Sequence, residues 1–257
     1  MTRVITDNNP SNFLLIAHRG GLFYRPENTM AAFENSVAMG IRWVECDVRL
    51  ADNGVPALSH DERVPVPGEG WLPLRELDAA RLANCDVGGG ELVPTLRQLF
   101  AGLSGELFFD LEIKELDVVE PVVRLVAEFG LEDRVTLSSF IPEALQLALR
   151  EAPHLTRGLL IDRITGALVD SRSSVNAARL LECQWLLPEY RTVDAEFVKL
   201  AHDDGLKVIP WTVNRPTDAA RFLDMGVDGI ISDRPDQFRA LITEKATQWA
   251  KNRAVKI

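Results

Sequence analysis

The sequence predicts an α/β fold, a (β/α)8 (TIM) barrel with a small insertion after the second strand. Three observations carry that expectation. Eight short runs of branched and aromatic apolar residues alternate with segments of helical periodicity. A chain of 257 residues with 46% hydrophobic content suits one α/β barrel better than two small domains. The unusual polar residues fall at the ends of strand-like runs, where barrels of this class carry their chemistry. A doubly wound open sheet is the alternative, disfavoured because no Gly-rich fingerprint follows the first strand. One domain over residues 1–257 is expected, with a compact inserted segment at about 62–94.

Phe13-Leu14-Leu15-Ile16-Ala17 is apolar throughout, as a strand covered on both faces must be. His18-Arg19-Gly20-Gly21 ends it, with two glycines to turn the chain. Asn28 or Thr29 is placed to cap a helix from Met30 to Met39, and Gly40 stops it. Trp43 to Val48 is the second strand, and Val55 to Leu58 leads on to Ser59-His60-Asp61. Between Glu62 and Pro94 the prolines and glycines frame a short helix, Leu74 to Ala83. A helix from Thr95 to Leu103 precedes the third strand, Leu107 to Lys114. Strands at Arg134–Ser139, Arg157–Ile161, Gln184–Leu187, Lys207–Val213 and Asp228–Ile231 follow. The intervening helices are Val118–Phe129, Pro142–Arg150, Val175–Leu181, Asp194–His202 and Pro216–Met225, with Pro235–Trp249 last. Pro210 is odd in a central strand and marks a bulge.

Glu45 and Asp47 are two apart on a strand and therefore share a face. Two buried carboxylates side by side shift a pKa, find a cation or bind a metal. Glu112 and Lys114 repeat that spacing on the third strand. Three carboxylates from neighbouring strands make an oxygen-rich site for one hard divalent cation, Mg2+ or Ca2+, whereas zinc more often recruits His or Cys. His18 and His60 stand near the same rim and suit a general acid and a general base. Arg19 and Lys114 offer charge for a phosphate. Together these residues suggest metal-assisted phosphoryl transfer.

Composition narrows the partners. A net charge of -10 and a pI near 5.0 argue against nucleic acid. Cys46, Cys85 and Cys183 are widely spaced, which fits a reducing compartment and gives no zinc or redox signal. The polar stretch Met1 to Asn12, the short apolar run after it and the lack of a membrane-length segment predict a cytoplasmic protein with no integral membrane association.

The ordered series His18-Arg19-Gly20, Pro26-Glu27-Asn28-Thr29, Glu45-Cys46-Asp47-Val48, His60-Asp61, Leu111-Glu112-Ile113-Lys114 and Trp211-Thr212-Val213-Asn214 resembles the glycerophosphodiester phosphodiesterase family. Gly226 to Pro235 extends that likeness, so it covers the chain from about Ile16 to Pro235. The resemblance implies a barrel enzyme that hydrolyses glycerophosphodiesters to sn-glycerol 3-phosphate and an alcohol. It implies His18 and His60 as the acid–base pair, Glu45, Asp47 and Glu112 as metal ligands, and Arg19 and Lys114 on the phosphate. Arg63-Val64-Pro65-Val66 stands where many members carry an Arg-Thr-Thr-like stretch, which leaves the alcohol side of the substrate open. A lysophospholipid substrate and a non-catalytic phosphodiester-binding barrel are the rival readings.

Each of these residues also has a plainer reading. Glu45 and Asp47 can form a structural ion network with Arg19 and Lys114. Trp211 is a candidate apolar wall of the substrate pocket, yet strand-end tryptophans pack in cores nearly as often. Glu27 and Asn28 suit loop shaping and capping. His154 and His202 read as surface residues, and Lys245, Lys251, Arg253 and Lys256 as a solvated helix face.

Overall fold

The computed structural model of the protein describes residues 13–162 and 170–244. Eight parallel strands form the wall of a barrel: β1 (Leu14–Ala17), β2 (Trp43–Leu50), β3 (Phe108–Ile113), β4 (Val135–Ser139), β5 (Thr156–Ile161), β6 (Trp185–Pro188), β7 (Lys207–Val208) and β8 (Gly229–Ser232). They neighbour one another in chain order from β7 back to β1, and β8 lies on the other side of β1. Backbone bonds from Asp228 to Val208, from Ile231 to Pro210 and from Val213 to Ile231 close the ring. The outer helices are α1 (Met30–Ala38), α2 (Leu96–Leu103), α3 (Val119–Phe129), α4 (Pro142–Glu151), α5 (Ser171–Leu180), α6 (Ala195–Asp203) and α7 (Pro216–Met225).

The helices begin where the sequence offers an oxygen to an open N–H. Thr29, Thr95, Asp170 and Asp194 each cap the helix that follows. Asp170 starts α5 four residues before the expected Val175. Pro142 and Pro216 open α4 and α7, at the turn where a missing N–H is harmless. The apolar faces of the helices pack on the outer wall of the strands, burying Phe33, Phe100, Phe109 and Val122 on one side and Phe197, Phe222 and Phe238 on the other.

Strand alternation sorts the inner wall into two halves. Leu160, Leu187, Ile209, Ile231 and Ile16 form an apolar cluster along one arc, with Trp185 and Trp43 beside them. On the other arc, Glu45 pairs with Asp110 and Asp47 with Glu112 across β2 and β3, while Asp110 and Glu112 pair with Thr136 and Ser138 across β3 and β4. Residues paired in register on parallel strands share a face, so acids and hydroxyls from three adjacent strands line one side of the barrel.

Several expectations are corrected. β2 runs on to Leu50 because Val48–Leu50 pairs antiparallel with Pro56–Leu58, so Glu45 and Asp47 lie within the strand and not at its end. Regular pairing in β7 stops at Val208, since Pro210 has no N–H to continue the ladder. The expected helix Leu74–Ala83 is a single turn, Leu74–Glu76, and a short helix, Ala79–Leu82. Leu77 is extended between them, and Asp78 restarts the helix by accepting from Arg81 N–H at 2.8 Å. Two hairpins, Arg63–Val66 with Gly70–Pro73 and Asp86–Gly88 with Glu91–Leu92, complete this stretch around its own small core. The last expected helix is described only to residue 244, and its remainder with Lys245, Lys251, Arg253 and Lys256 lies outside the described residues, as does Met1 to Asn12.

Candidate active site

The turn after β1 builds the first side of the site. Arg19 and Gly20 both take positive φ, 50° and 80°, and Gly21 follows at 90°. A Cβ on Gly20 would stand 2.8 Å from Ala32 Cβ and 3.0 Å from Phe33, so only glycine lets this turn press against α1. The tight turn aims the Arg19 backbone N–H at Glu45, where it donates to Oε2 at 2.9 Å.

Glu45, Asp47 and Glu112 converge: one oxygen from each lies within 4.8 Å of the others, and all three residues are buried. Glu45 Oε1 is buried without a hydrogen bond, and Asp47 Oδ1 meets only the Lys114 ammonium, 3.2 Å away. Lone pairs left open in this way are what a bound cation would use, and the all-carboxylate donor set fits a hard divalent ion. The cluster could hold a metal.

The surrounding cations hold these acids unequally. Arg19 Nε lies 3.2 Å from Asp47 Oδ2, and Lys114 Nζ sits 3.2 Å from Asp47 Oδ1 and 2.6 Å from Glu112 Oε1. Burial pushes the Asp47 carboxyl up, but Arg19 and Lys114 outweigh it and leave the group below its ordinary value. Glu45 has no such cation in contact. Burial first, then Asp47 and Glu112, raise it well above the usual carboxylate range. Glu112 is raised by burial and by Asp47, with Lys114 pulling the other way. Burial lowers Lys114, but Glu112 and Asp47 more than reverse it. Asp47 is thus paired within the protein, and Glu45 is the acid that the protein's own cations compensate least.

Glu27 and Asn28 do more than shape a loop. Arg19 Nη1 donates to both Glu27 oxygens, at 3.0 and 2.9 Å, fixing the guanidinium. Asn28 clasps Asp47 from both sides, donating from Nδ2 to Oδ2 at 2.8 Å and accepting from Asp47 N–H at 3.1 Å. Thr29, not Asn28, caps α1, because Asn28 is already spent on Asp47.

The two histidines differ in setting. His18 is nearly enclosed, with Nε2 3.9 Å from Glu45 Oε2 and Nδ1 2.6 Å from Asp233 Oδ1. His60 stands more open, with Nδ1 2.9 Å from Asp61 Oδ1, while its carbonyl accepts from Arg49 Nε at 2.9 Å. Trp211 donates its indole N–H to Leu187 O at 2.7 Å and meets Phe140 edge-on at 5.5 Å. With its donor occupied, it offers the site only an apolar edge. His202 is bound to Asp228 on the outside of the barrel at 2.9 Å.

The residues chosen from sequence leave out two acids. Asp233, in the turn after β8, reaches His18 across a separation of 215 residues because β8 neighbours β1. Asp110 shares the inward parity of Glu112 and is fully buried with neither oxygen in a hydrogen bond. Burial pushes it up to about 7. Its spacing from Glu112 was the available signal.

A model of the glycerophosphoryl diester phosphodiesterase family matches residues 18–237. Over 244 residues the chain is 34% identical to a glycerophosphodiester phosphodiesterase of Caldanaerobacter subterraneus subsp. tengcongensis, covering 89% of this chain and 97% of that protein. It is 26% identical over 259 residues to a glycerophosphodiester phosphodiesterase of Bacillus subtilis, covering 90% and 86% respectively. The solved structure of an Oleispira antarctica phosphodiesterase in complex with the product sn-glycerol-3-phosphate superposes with a TM-score of 0.80 at 27% identity, over 89% of this chain and 96% of that one. The chain belongs to the glycerophosphoryl diester phosphodiesterase family and is an enzyme of that class.

Proposed function

We propose that the protein hydrolyses glycerophosphodiesters to sn-glycerol 3-phosphate and an alcohol, with His18 and His60 as the acid–base pair. The observation that carries this reading is the gathering of Glu45, Asp47 and Glu112, Arg19 and Lys114, and His18 around one end of the barrel. In this reading Glu45, Asp47 and Glu112 hold one divalent cation, Mg2+ or Ca2+, which supplies Lewis-acid charge to the phosphate oxygens. Arg19, held by Glu27, leaves Nη2 for a phosphate oxygen, and Lys114 adds a second positive charge. One imidazole takes the proton of the nucleophile, either water or the neighbouring glycerol hydroxyl whose cyclic phosphate water then opens, while the other protonates the departing alkoxide, each through the ring nitrogen its carboxylate does not hold. Trp211 and Phe140 close one side of the substrate with apolar surface.

Turnover of glycerophosphocholine by His18→Ala and His60→Ala tests the assignment. Both variants are expected to lose about 10²- to 10⁴-fold in kcat while melting within a few degrees of the parent. Near-parental turnover in both would remove the histidines from the chemistry.

A second reading, a lysophospholipid substrate, draws on the exposed apolar side chains. Among the described residues, Leu22, Phe23, Trp71, Leu92 and Leu116 are large, apolar and exposed, and all stand on connections that follow strands at the end of the barrel bearing the site. Leu180, at the other end, is the exception. An acyl chain leaving the phosphate would meet this rim. Faster cleavage of lysophosphatidylcholine than of glycerophosphocholine, lost on Trp71→Ser, would select this reading, and no cleavage of the lysolipid would reject it.

A further inference from the structure

We propose that Asp233, Asn214 and Ser232 form a directional hydrogen-bond relay that locks His18 in one tautomer, with the proton on Nδ1 and the lone pair on Nε2. This makes Asp233 and Asn214 positioning residues for the reaction. The proposal rests on the reading of His18 as an acid–base residue.

Backbone N–H groups in the turn after β8 are donors that cannot reverse. Arg234 backbone N–H donates to Ser232 Oγ at 3.0 Å, so the Ser232 hydroxyl turns its own hydrogen to Asn214 Oδ1, 3.1 Å away. The Asp233 backbone N–H donates to the same Asn214 oxygen at 2.9 Å. Two donors on one end of the amide identify that end as the oxygen. Asn214 Nδ2 must then face Asp233, and it lies 2.5 Å from Oδ2. With Oδ2 engaged by Asn214, Oδ1 is left to face His18 Nδ1 at 2.6 Å. The His18 bond and the Asn214 bond together outweigh burial and hold Asp233 below its ordinary pKa, so it is an acceptor. An ionised carboxylate accepts only, so Nδ1 carries the hydrogen. Nε2 is the remaining ring nitrogen, and it points toward Glu45.

Each link is short, each donor has one acceptor, and the chain ends in backbone amides of the turn after β8. Closing the barrel between β8 and β1 is what brings the relay to His18. His60 has no counterpart among the described residues. Its Nδ1 partner, Asp61, is the next residue and is exposed, so solvent competes for that bond. The two histidines thus differ in kind: His18 exchanges its proton through one fixed atom, and His60 stands on a weaker tether.

The relay makes an unusual prediction about a swap. In Asp233→Asn the introduced amide is oriented by Asn214, whose Nδ2 needs an oxygen opposite. The introduced NH2 is then forced toward His18 Nδ1, which must become an acceptor, and the hydrogen moves to Nε2. Adding Asn214→Asp reverses the requirement. The introduced carboxylate accepts from the NH2, the amide flips, and its oxygen again accepts from His18 Nδ1–H. The double variant contains the same groups exchanged, so it separates direction from mere presence.

The test is 15N NMR of the histidine-labelled, metal-free protein, followed upward in pH until the imidazole shifts stop changing, with His18 assigned by its loss in His18→Gln. The parent is expected to show Nδ1–H, Asp233→Asn to show Nε2–H, and the swap to return to Nδ1–H. With cation restored, kcat on glycerophosphocholine is expected to fall about 10²- to 10⁴-fold in Asp233→Asn, with KM within about threefold, and to recover at least tenfold in the swap. A purely structural role would not restore both signals on exchange. An unchanged tautomer in Asp233→Asn, or a swap that keeps Nε2–H, overturns the relay. Tautomers that switch as expected while kcat stays constant would leave the relay standing and remove His18 from acid–base chemistry.

Discussion

Glu45 and Asp47 are two residues apart on one strand, yet substitution should affect them in opposite ways. Their ligand atoms and that of Glu112 lie within 4.8 Å, and two unit charges at that spacing repel by about 3–4 kcal/mol at an effective dielectric near 20. Asp47 is relieved by Arg19, Lys114 and Asn28. Glu45 has one backbone N–H and one orphan oxygen. Glu45→Gln keeps an oxygen for the Arg19 N–H and turns an NH2 toward the neighbouring acids, so in chelator its melting temperature should equal or exceed the parent's. Asp47→Asn leaves two buried cations short of a partner, which costs about 3–5 kcal/mol. With about 2.1 cal/mol/K of unfolding entropy per residue, 1 kcal/mol moves Tm by about 2 °C in a chain of 257 residues. Asp47→Asn should therefore melt about 6–10 °C low. A cation present at about 100 times its Kd stabilises by about 2.7 kcal/mol, or about 5 °C here. The parent should show that rise with Mg2+ or Ca2+, and Glu45→Gln should show little of it. Scanning calorimetry with and without EDTA reads all four values. If Glu45→Gln melts several degrees low in chelator and keeps the full cation shift, Glu45 is part of the ion network and not of a metal site.

Two further outcomes follow from the same geometry. The folded-state pKa values of Glu45, Glu112 and Asp110 are raised, the last to about 7 from 3.8, chiefly by burial. The folded, metal-free protein therefore binds more protons than the unfolded chain across that interval, and these groups subtract stability as pH rises from about 4 toward 7. Asp47 acts with the opposite sign, adding stability above its ordinary pKa that is lost in acid. The cation-induced rise in Tm should consequently be larger at pH 7.5 than at pH 5.5, and a shift independent of pH would contradict this. Gly20→Ala places a methyl 2.8 Å from Ala32 Cβ at a φ of +80°, and should lower Tm by about 2–6 °C, from overpacking of about 1–3 kcal/mol. It should also weaken cation binding by displacing the Arg19 N–H from Glu45, which titration of the cation against Tm would detect.

Most of the barrel and its central acids were legible in the sequence because a period of two acts locally. Glu45, Asp47, Glu112 and Lys114 follow from parity alone once their strands are placed. Leu74 to Ala83 misled because its composition suits a helix throughout, and only the capping choice of Asp78 splits it. The seventh strand stops early at a proline whose effect was visible, though not its reach. Asp233 was beyond local reading. It becomes a partner of His18 only when the last strand closes beside the first, and a carboxylate in a turn carries no mark of that. Asn28 was legible as polar and turn-forming, but its clasp on Asp47 depends on the tight Arg19-Gly20 turn, whose geometry comes from packing against Ala32 and Phe33.

Release of sn-glycerol 3-phosphate from glycerophosphocholine by the purified protein, coupled to glycerol-3-phosphate dehydrogenase and followed before and after EDTA, tests the reaction and its metal together. Product is expected to disappear with the chelator and to return when excess Mg2+ or Ca2+ is added. Product formation that is indifferent to EDTA would contradict the metal-holding role of Glu45, Asp47 and Glu112. No product with any divalent cation would contradict the proposed reaction itself.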